Sequence, residues 1–340
     1  NKNPYSGVAV STRKPSTSLY LLLATCLCSI SAAVRAEPPL RALLLTSPGV
    51  YHNYQYQARA ISEGIARHVN VVFDVSLAEL ERWKSSDFAE GYDVIVYNIC
   101  MAGNEDAEMI ANMRRQTEDL EVPAMVIHCT MHSFRNTDFW WPFYGLQSKS
   151  HEALGPMNLT IGKEHPVLTD IPGNWTVGKD ELYINLQFHA EALLTAPGKD
   201  GRTHVTTWLQ QQGQTTVFGT TLGHSNETMQ DPVFQRLLSK ALLYVTGNLD
   251  DDGTINPAFA ADPSRGDAIS GFSAPPGVGY FSESEAKCVM AKAHRSIAPC
   301  YVGCIANPLI WGEDADACKE ECVAQMPAPE QFSSECRSEP

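Results

Sequence analysis

The sequence has few basic residues. Its 340 residues include 25 Lys and Arg against 39 Asp and Glu, so the formal net charge is -14. It contains no Lys/Arg cluster and no glycine-rich phosphate loop. Because nucleic-acid-binding proteins neutralise phosphates with clustered basic side chains, we expect no nucleic acid as a partner. The remaining composition, 44% hydrophobic and 19% charged, is typical of a globular protein with a sizeable core.

The sequence also has no apolar run long enough to span a bilayer comfortably, so we expect no stable membrane span. Basic residues precede a short apolar run at 19–30, and small residues follow at 34–36. This order predicts a secretory signal peptide over residues 1–36, and hence a secreted or periplasmic protein. An uncleaved anchor or a lipid on Cys26 are the alternatives. Removing residues 1–36 changes the formal net charge from -14 to -18.

Cysteine is scarce before residue 288 and abundant after it. Beyond the signal, only Cys100 and Cys129 lie in the main part of the chain. Six cysteines follow in the spacing C-x11-C-x3-C-x13-C-x3-C-x13-C, and each C-x3-C pair places two sulfurs on one face of a helix. Two antiparallel helices predict the nested pairs Cys304–Cys318, Cys300–Cys322 and Cys288–Cys336. Six cysteines allow fifteen pairings, and a four-cysteine zinc site is the rival interpretation.

Between residues 37 and 249, apolar strand-like runs alternate with amphipathic stretches. The predicted strands are 41–47, 69–75, 93–99, 123–128 and 215–224, and the predicted helices are 54–67, 77–84, 105–119 and 231–247. This alternation predicts an α/β domain, a flavodoxin-like, doubly wound and mostly parallel sheet. Residues 250–282, rich in Asp, Gly, Pro and Ser, read as a flexible linker to a Cys-rich helical-hairpin module at 283–340.

Four polar residues follow or end the predicted strands. His52 follows the first strand, while Asn98, His128 and His224 end three later ones. In an open parallel sheet, ligands bind outside the carboxyl ends of the strands. We therefore expect a ligand site that contains these side chains.

Several motifs along the chain resemble the ThuA-like (trehalose-utilisation) family, which has the class I glutamine amidotransferase-like fold. The resemblance covers most of residues 40–248. It is carried by "VIHCTMHS", "FWWPFYGLQSKSHE", "HPVLTDIP", "KDELYIN" and "TTLGHSNETMQDPVFQRLLSKALLYVTG". The family pattern W-P-x-Y-G, a later His, D-E-x-Y and G-H is seen here at 141–145, His151, 180–183 and 223–224. One departure is that "EDLEVPA" replaces the glycines that usually precede the strand before His128.

The resemblance implies roles for two histidines. His128 stands where amidotransferases of this fold carry a cysteine nucleophile on a sharp turn, and His224 stands where they carry its activating histidine. ThuA-like proteins also have His in the first position, so glutamine amidotransferase activity is not expected. Strand alternation turns Cys129 away from His128, which favours a small buried thiol over a nucleophile paired with His224. His189, in "QFHAE", is interpreted as incidental.

Carbohydrate is the ligand class that this combination suits best. Aromatic faces stack on sugar rings, while imidazoles, amides and carboxylates bind hydroxyls. The predicted catalytic residues are His128, His224 and Glu181, which would move a proton next to the carbonyl of a keto-disaccharide. The predicted substrate-binding residues are His52, Asn98, Trp141, Tyr144 and His151, and Trp140 and Phe143 extend the aromatic platform.

Three alternatives stay open at this stage. No cofactor is required, but His128, His151, His224 and Glu181 could bind a divalent metal. The i, i+4 spacing of His128 and His132 does not by itself show that His132 joins them. The chain could instead be a non-catalytic secreted glycan-binding or interaction protein. Glycosylation sequons begin at Asn158, Asn174 and Asn226, and a glycan on Asn226 would crowd the predicted cleft.

Overall fold

The computed structural model describes residues 37–47, 52–264 and 266–274. Within the C-terminal tail it describes positions 288, 292, 295, 296, 298–300, 318, 322 and 336. The predicted signal peptide and most of the predicted Cys-rich module lie outside the described residues. No helix within the described part of the chain has the length and apolar character needed to cross a membrane.

The described residues form strands and helices in the following order. The strands are β1 (Leu40–Thr46), β2 (Val71–Leu77), β3 (Val94–Asn98), β4 (Ala124–Ile127), β5 (Leu146–His151), β6 (Gly155–Asn158), β7 (Thr160–Ile161), β8 (Thr176–Asp180), β9 (Tyr183–Phe188), β10 (Glu191–Pro197), β11 (Thr203–Gln212), β12 (Thr215–Thr220) and β13 (Ile269–Ser273). The α-helices are α1 (Tyr54–Ala66), α2 (Leu80–Trp83), α3 (Ala107–Glu118), α4 (Trp141–Tyr144), α5 (Asn226–Gln230) and α6 (Pro232–Val245).

Nine strands form the central sheet, in the order β13-β2-β1-β3-β4-β12-β11-β10-β7. The pairs from β13 to β12 are parallel, and the remaining three pairs, β12-β11, β11-β10 and β10-β7, are antiparallel. The core order β2-β1-β3-β4-β12 is that of a flavodoxin-like doubly wound sheet. The predicted fold class is therefore confirmed.

Helices cover both faces of the sheet, because alternate residues of its buried strands are apolar on each side. In β1, Ala42 and Leu44 join one core layer, and Leu43 and Leu45 join the other. Residues of α1 and α6 pack in the first layer, and residues of α3 pack in the second. Burial on both faces explains why β1 reads as an unbroken apolar run.

The segment predicted as a linker contains a strand. β13 pairs in parallel with β2, and Ser270 donates a hydrogen bond to Asp74. At this part of the chain the prediction of a flexible linker is wrong. A strand at the sheet edge needs backbone partners more than an apolar period, so composition did not reveal it.

The C-terminal tail contains two of the three predicted disulfides. Cys288 is bonded to Cys336, and Cys300 is bonded to Cys322, which confirms these pairs. Cys318 is also disulfide-bonded, but Cys304, its predicted partner, lies outside the described residues.

Candidate functional site

His128 lies on a sharp turn at the carboxyl end of β4. Its φ is +47°, in the left-handed region that residues other than glycine seldom adopt. The chain passes from β4 directly into a short 3-10 helix, His128–His132, and the turn leaves the His128 ring beside the end of β12. Such strained positions are concentrated at functional sites, so this turn marks the place to look for chemistry.

Three histidines from separate loops meet at this edge of the sheet. The ring centres of His52 and His128 are 4.8 Å apart, those of His52 and His224 are 4.7 Å apart, and those of His128 and His224 are 5.4 Å apart. One side-chain nitrogen from each lies within 4.8 Å of the others. This set, here called the three-histidine cluster, brings together three of the residues predicted from the sequence.

Glu181 completes the cluster from the connection between β8 and β9. Its Oε2 lies 3.1 Å from Nδ1 of His224 and 3.7 Å from Nε2 of His128. Its Oε1 lies 3.5 Å from Nδ1 of His151, whose side chain is 40% exposed at the rim. The carboxylate itself is mostly buried, so its charge acts at close range on the imidazoles.

Backbone carbonyls determine the tautomers of two of these rings. The Nδ1–H of His128 donates to the carbonyl of Thr221 at 2.7 Å, and the Nδ1–H of His52 donates to the carbonyl of His224 at 3.2 Å. A carbonyl only accepts, so in the neutral rings the lone pair is on Nε2. The hydroxyl of Tyr183 donates to Nε2 of His128 at 3.3 Å.

Burial controls the protonation of His128 and Tyr183. Burial, with His52 and His224 close by, lowers the pKa of His128 well below its usual value. Burial, with the Glu181 carboxylate nearby, raises the pKa of Tyr183 well above its usual value. At neutral pH the imidazole is therefore a neutral acceptor, and the phenol keeps its proton as a donor.

Two residues that the sequence did not single out hold the loop carrying His224. Asp180, which is buried, accepts hydrogen bonds from the backbone N–H groups of Gly223 at 2.8 Å and His224 at 3.1 Å. Gln57 donates to the carbonyl groups of the same two residues, each at 3.2 Å. The loop is thus held from both sides. Asp180 lies inside the D-E-x-Y motif, but no sequence pattern indicated Gln57.

Some predicted ligand residues lie away from the cluster. Asn98 is buried and donates to Gln57, so it contacts the site indirectly. Tyr144 is fully buried and donates to the carbonyl of Met131, which makes it a core residue and corrects the prediction that it binds substrate. Trp141 is partly buried and lies against His189, with ring centres 5.6 Å apart.

The predicted aromatic platform is part of the core. Trp140 and Phe143 are both buried in the layer beneath the cleft, where they pack against Tyr97. Four consecutive aromatic positions in a helical turn cannot all face one side. Packing against the sheet buried three of them.

His132 is close to the cluster without belonging to it. Its ring stacks on Tyr183, with centres 4.0 Å apart, and its Nε2 lies 3.3 Å from the hydroxyl of Ser148. Burial, followed by the nearby His151, lowers the pKa of His132 well below its usual value. It therefore supports the Tyr183 ring as a neutral group.

Cys129 is neither a free thiol nor a nucleophile. It forms a disulfide with Cys100, which follows β3, and this bond ties the turn after β4 to the neighbouring strand. The prediction of a small buried thiol is wrong in its oxidation state, because two cysteines 29 residues apart in sequence gave no sign of proximity. The interpretation of Cys129 as a thiol nucleophile is excluded for this disulfide-bonded state, since only a thiolate attacks.

Comparison with known proteins assigns the family. The family model for ThuA, trehalose utilisation, matches residues 41–245, so the chain belongs to this family, with the class I glutamine amidotransferase-like fold. A ThuA-like protein from Parabacteroides merdae is 20% identical, over 61% of this chain and 90% of that one, with a TM-score of 0.50. A ThuA-like protein from Bacteroides uniformis is 16% identical, over 65% and 96%, with a TM-score of 0.49. No curated protein matches the chain.

Proposed function

We propose that this protein acts on a carbohydrate carrying a keto group, by acid–base chemistry at the carboxyl end of the parallel sheet. The observation that carries the proposal is the convergence of His128, His224 and Glu181 around one point in a trehalose-utilisation protein. A neutral imidazole, a buried carboxylate and a protonated phenol are groups that transfer protons near neutral pH.

The reaction begins with removal of a proton from the carbon next to the sugar's carbonyl group. Nε2 of His128, which carries the ring's lone pair, accepts that proton. The C–H electron pair forms a carbon–carbon double bond, and the carbonyl electrons move onto oxygen. The phenol of Tyr183 is placed to donate a hydrogen bond to that oxygen, and Glu181 stabilises the imidazolium from 3.7 Å.

Two outcomes follow from the same enolate. Returning the proton to the carbon of the former carbonyl group, with a hydroxyl proton lost next to it, isomerises the sugar. Loss of a substituent from the carbon beyond the deprotonated one cleaves it. His224, beside Glu181, supplies the acid for the departing oxygen in this second case. Both outcomes require proton exchange at the carbon next to the carbonyl.

Proton exchange therefore tests the proposal directly. The purified protein is incubated in D₂O with a keto-disaccharide prepared from trehalose, and proton NMR follows loss of the signal next to the carbonyl. His128→Ala and Glu181→Gln are expected to slow the exchange by about 100-fold or more. His189→Ala is the matched control, since that exposed histidine lies outside the cluster.

The same experiment separates the enzyme from its alternative. A thermal shift with the keto-sugar and no exchange would indicate a non-catalytic glycan-binding protein. Neither shift nor exchange with any sugar would contradict both. Plain trehalose, which has no ketone, should show no exchange in either case.

We also propose that the protein is secreted and glycosylated. The apolar run at 19–30, the disulfides and the acidic composition support secretion. Asn158 and Asn174 are exposed, whereas Asn226 is partly buried in the first turn of α5. Expression in a secreting eukaryotic host, followed by N-terminal sequencing and glycosidase treatment, tests cleavage after residue 36 and the occupied sequons.

A further inference from the structure

We propose that His52, His128 and His224 bind one divalent transition-metal ion beside Glu181. The inference deepens the proposed function and rests on its site, but it depends on the ligand atoms and not on the sugar. The set differs from the sequence-based one, in which His151 took the place of His52. His151 contacts the other oxygen of Glu181, at the exposed rim.

The spacing of the three rings fits a common metal. A tetrahedral zinc ion with nitrogen ligands at about 2.1 Å would place the ring centres about 5 Å apart. The observed separations are 4.7, 4.8 and 5.4 Å. Small side-chain movements therefore suffice to bring one nitrogen of each ring to bonding distance.

The surroundings orient the rings as metal sites require. His52 and His128 each donate Nδ1–H to a backbone carbonyl, which leaves the lone pair on Nε2. Metal-binding histidines almost always have their second nitrogen held by such a partner. The carbonyl groups belong to Thr221 and His224, so the turn that supplies one ligand also orients the other two.

A second observation points to a ligand in the cluster. Nδ1 of His224 is buried and makes no hydrogen bond, although Oε2 of Glu181 lies 3.1 Å away. A buried polar atom without a hydrogen bond is costly, and its presence calls for an explanation such as a bound ion. A cation next to Glu181 would also offset the cost of burying that carboxylate.

The donor atoms indicate the class of metal. Three imidazole nitrogens favour zinc, cobalt, nickel, copper or iron over magnesium and calcium, which prefer oxygen. Three protein ligands with an open position are typical of catalytic zinc sites, whereas structural sites have four. A metal in this position would supply an electrophile for the carbonyl oxygen of a bound sugar.

Metal binding is measured on the full chain without any sugar. The protein is stripped with a chelator and titrated with Zn²⁺ by calorimetry, and with Co²⁺ while its visible absorption is recorded. We expect one ion per chain and a Co²⁺ spectrum of nitrogen coordination. His52→Ala and His224→Ala should each weaken Zn²⁺ binding by about 100-fold or more, beyond the range found for residues around a ligand shell.

Controls keep the result decisive. His151→Ala and His189→Ala should retain one ion per chain and the same Co²⁺ spectrum. Circular dichroism must show that each variant is folded, and His52→Gln replaces His52→Ala if the smaller side chain prevents folding. Absence of binding at millimolar Zn²⁺, or unchanged binding in folded His52 variants, would overturn the inference. Because no sugar is present, either result leaves the proton-exchange test of the proposed function independent.

Discussion

Replacing Asp180 with Asn tests how the loop that carries His224 is held in place. Oδ2 of Asp180 accepts the N–H of Gly223, and Oδ1 accepts the N–H groups of Glu181 and His224. An asparagine keeps one oxygen and turns an NH₂ group towards a backbone donor. At least one charge-assisted bond is lost, and one buried N–H group is left without an acceptor.

The size of the effect follows from these contacts. Loss of a hydrogen bond to a charged group costs about 1.5–3 kcal/mol. Burial raises the pKa of Asp180 despite its backbone hydrogen bonds, so the carboxylate also carries a desolvation cost that an amide avoids. We therefore expect a net loss of about 1–3 kcal/mol in the free energy of unfolding, or roughly 2–10 °C in Tm for a domain of this size.

Urea denaturation followed by tryptophan fluorescence measures this loss. Asp106→Asn is the matched control, because its side chain caps α3 through Met109 N–H at an exposed position where Asn caps equally well. The Asp180 variant should also slow sugar proton exchange, since His224 loses part of its support. An Asp180→Asn protein as stable and as active as wild type would refute the idea that the carboxylate holds this loop.

Three further predictions concern packing, pH and oxidation. Gly219→Ala should destabilise the domain by about 1–3 kcal/mol in urea denaturation, because the added Cβ would lie 2.2 Å from the buried ring of Trp208; Gly178→Ala, which meets no atom within 4 Å, should not. The lowered pKa of buried His132 means that, below its unfolded value of 6.5, the unfolded chain binds a proton that the folded chain does not. Stability should therefore fall on acidification by up to about 1.4 kcal/mol per pH unit for this residue, and a chelator-treated His132→Phe protein with an unchanged slope would contradict this. Peptide mapping without reductant should find Cys100 linked to Cys129, and replacing both with Ser should cost about 2–4 kcal/mol; iodoacetamide labelling of untreated Cys129 would show the bond to be absent.

Sequence reasoning recovered the architecture because the signal for it is local. Burial of β1 on both faces makes it a continuous apolar run, and the amphipathic period of α1 and α6 repeats every few residues. The edge strand β13 was missed, since an edge strand pairs through its backbone and need not be apolar. The antiparallel strands from β5 to β11 are short or half-exposed and carried no clear pattern.

The candidate site was recovered only in part. Family motifs indicated His128, His224 and Glu181, and strand ends indicated His52. Tyr144 was misjudged because an aromatic residue reads the same whether it lines a cleft or fills a core. Gln57 and the Cys100–Cys129 bond were missed, since their significance comes from partners far away in the sequence.

The amino-acid sequence by itself determined the alternation of strands and helices, the acidic charge and the nested cysteine pairs of the tail, because each follows from the spacing of neighbouring residues. Only the tertiary structure decided that His52 and His128 share a cluster with His224 and turn their lone pairs inwards. Their ring nitrogens are held by carbonyl groups 172 and 93 residues away along the chain. Such contacts depend on which strands become neighbours in the folded sheet, and no local spacing encodes that.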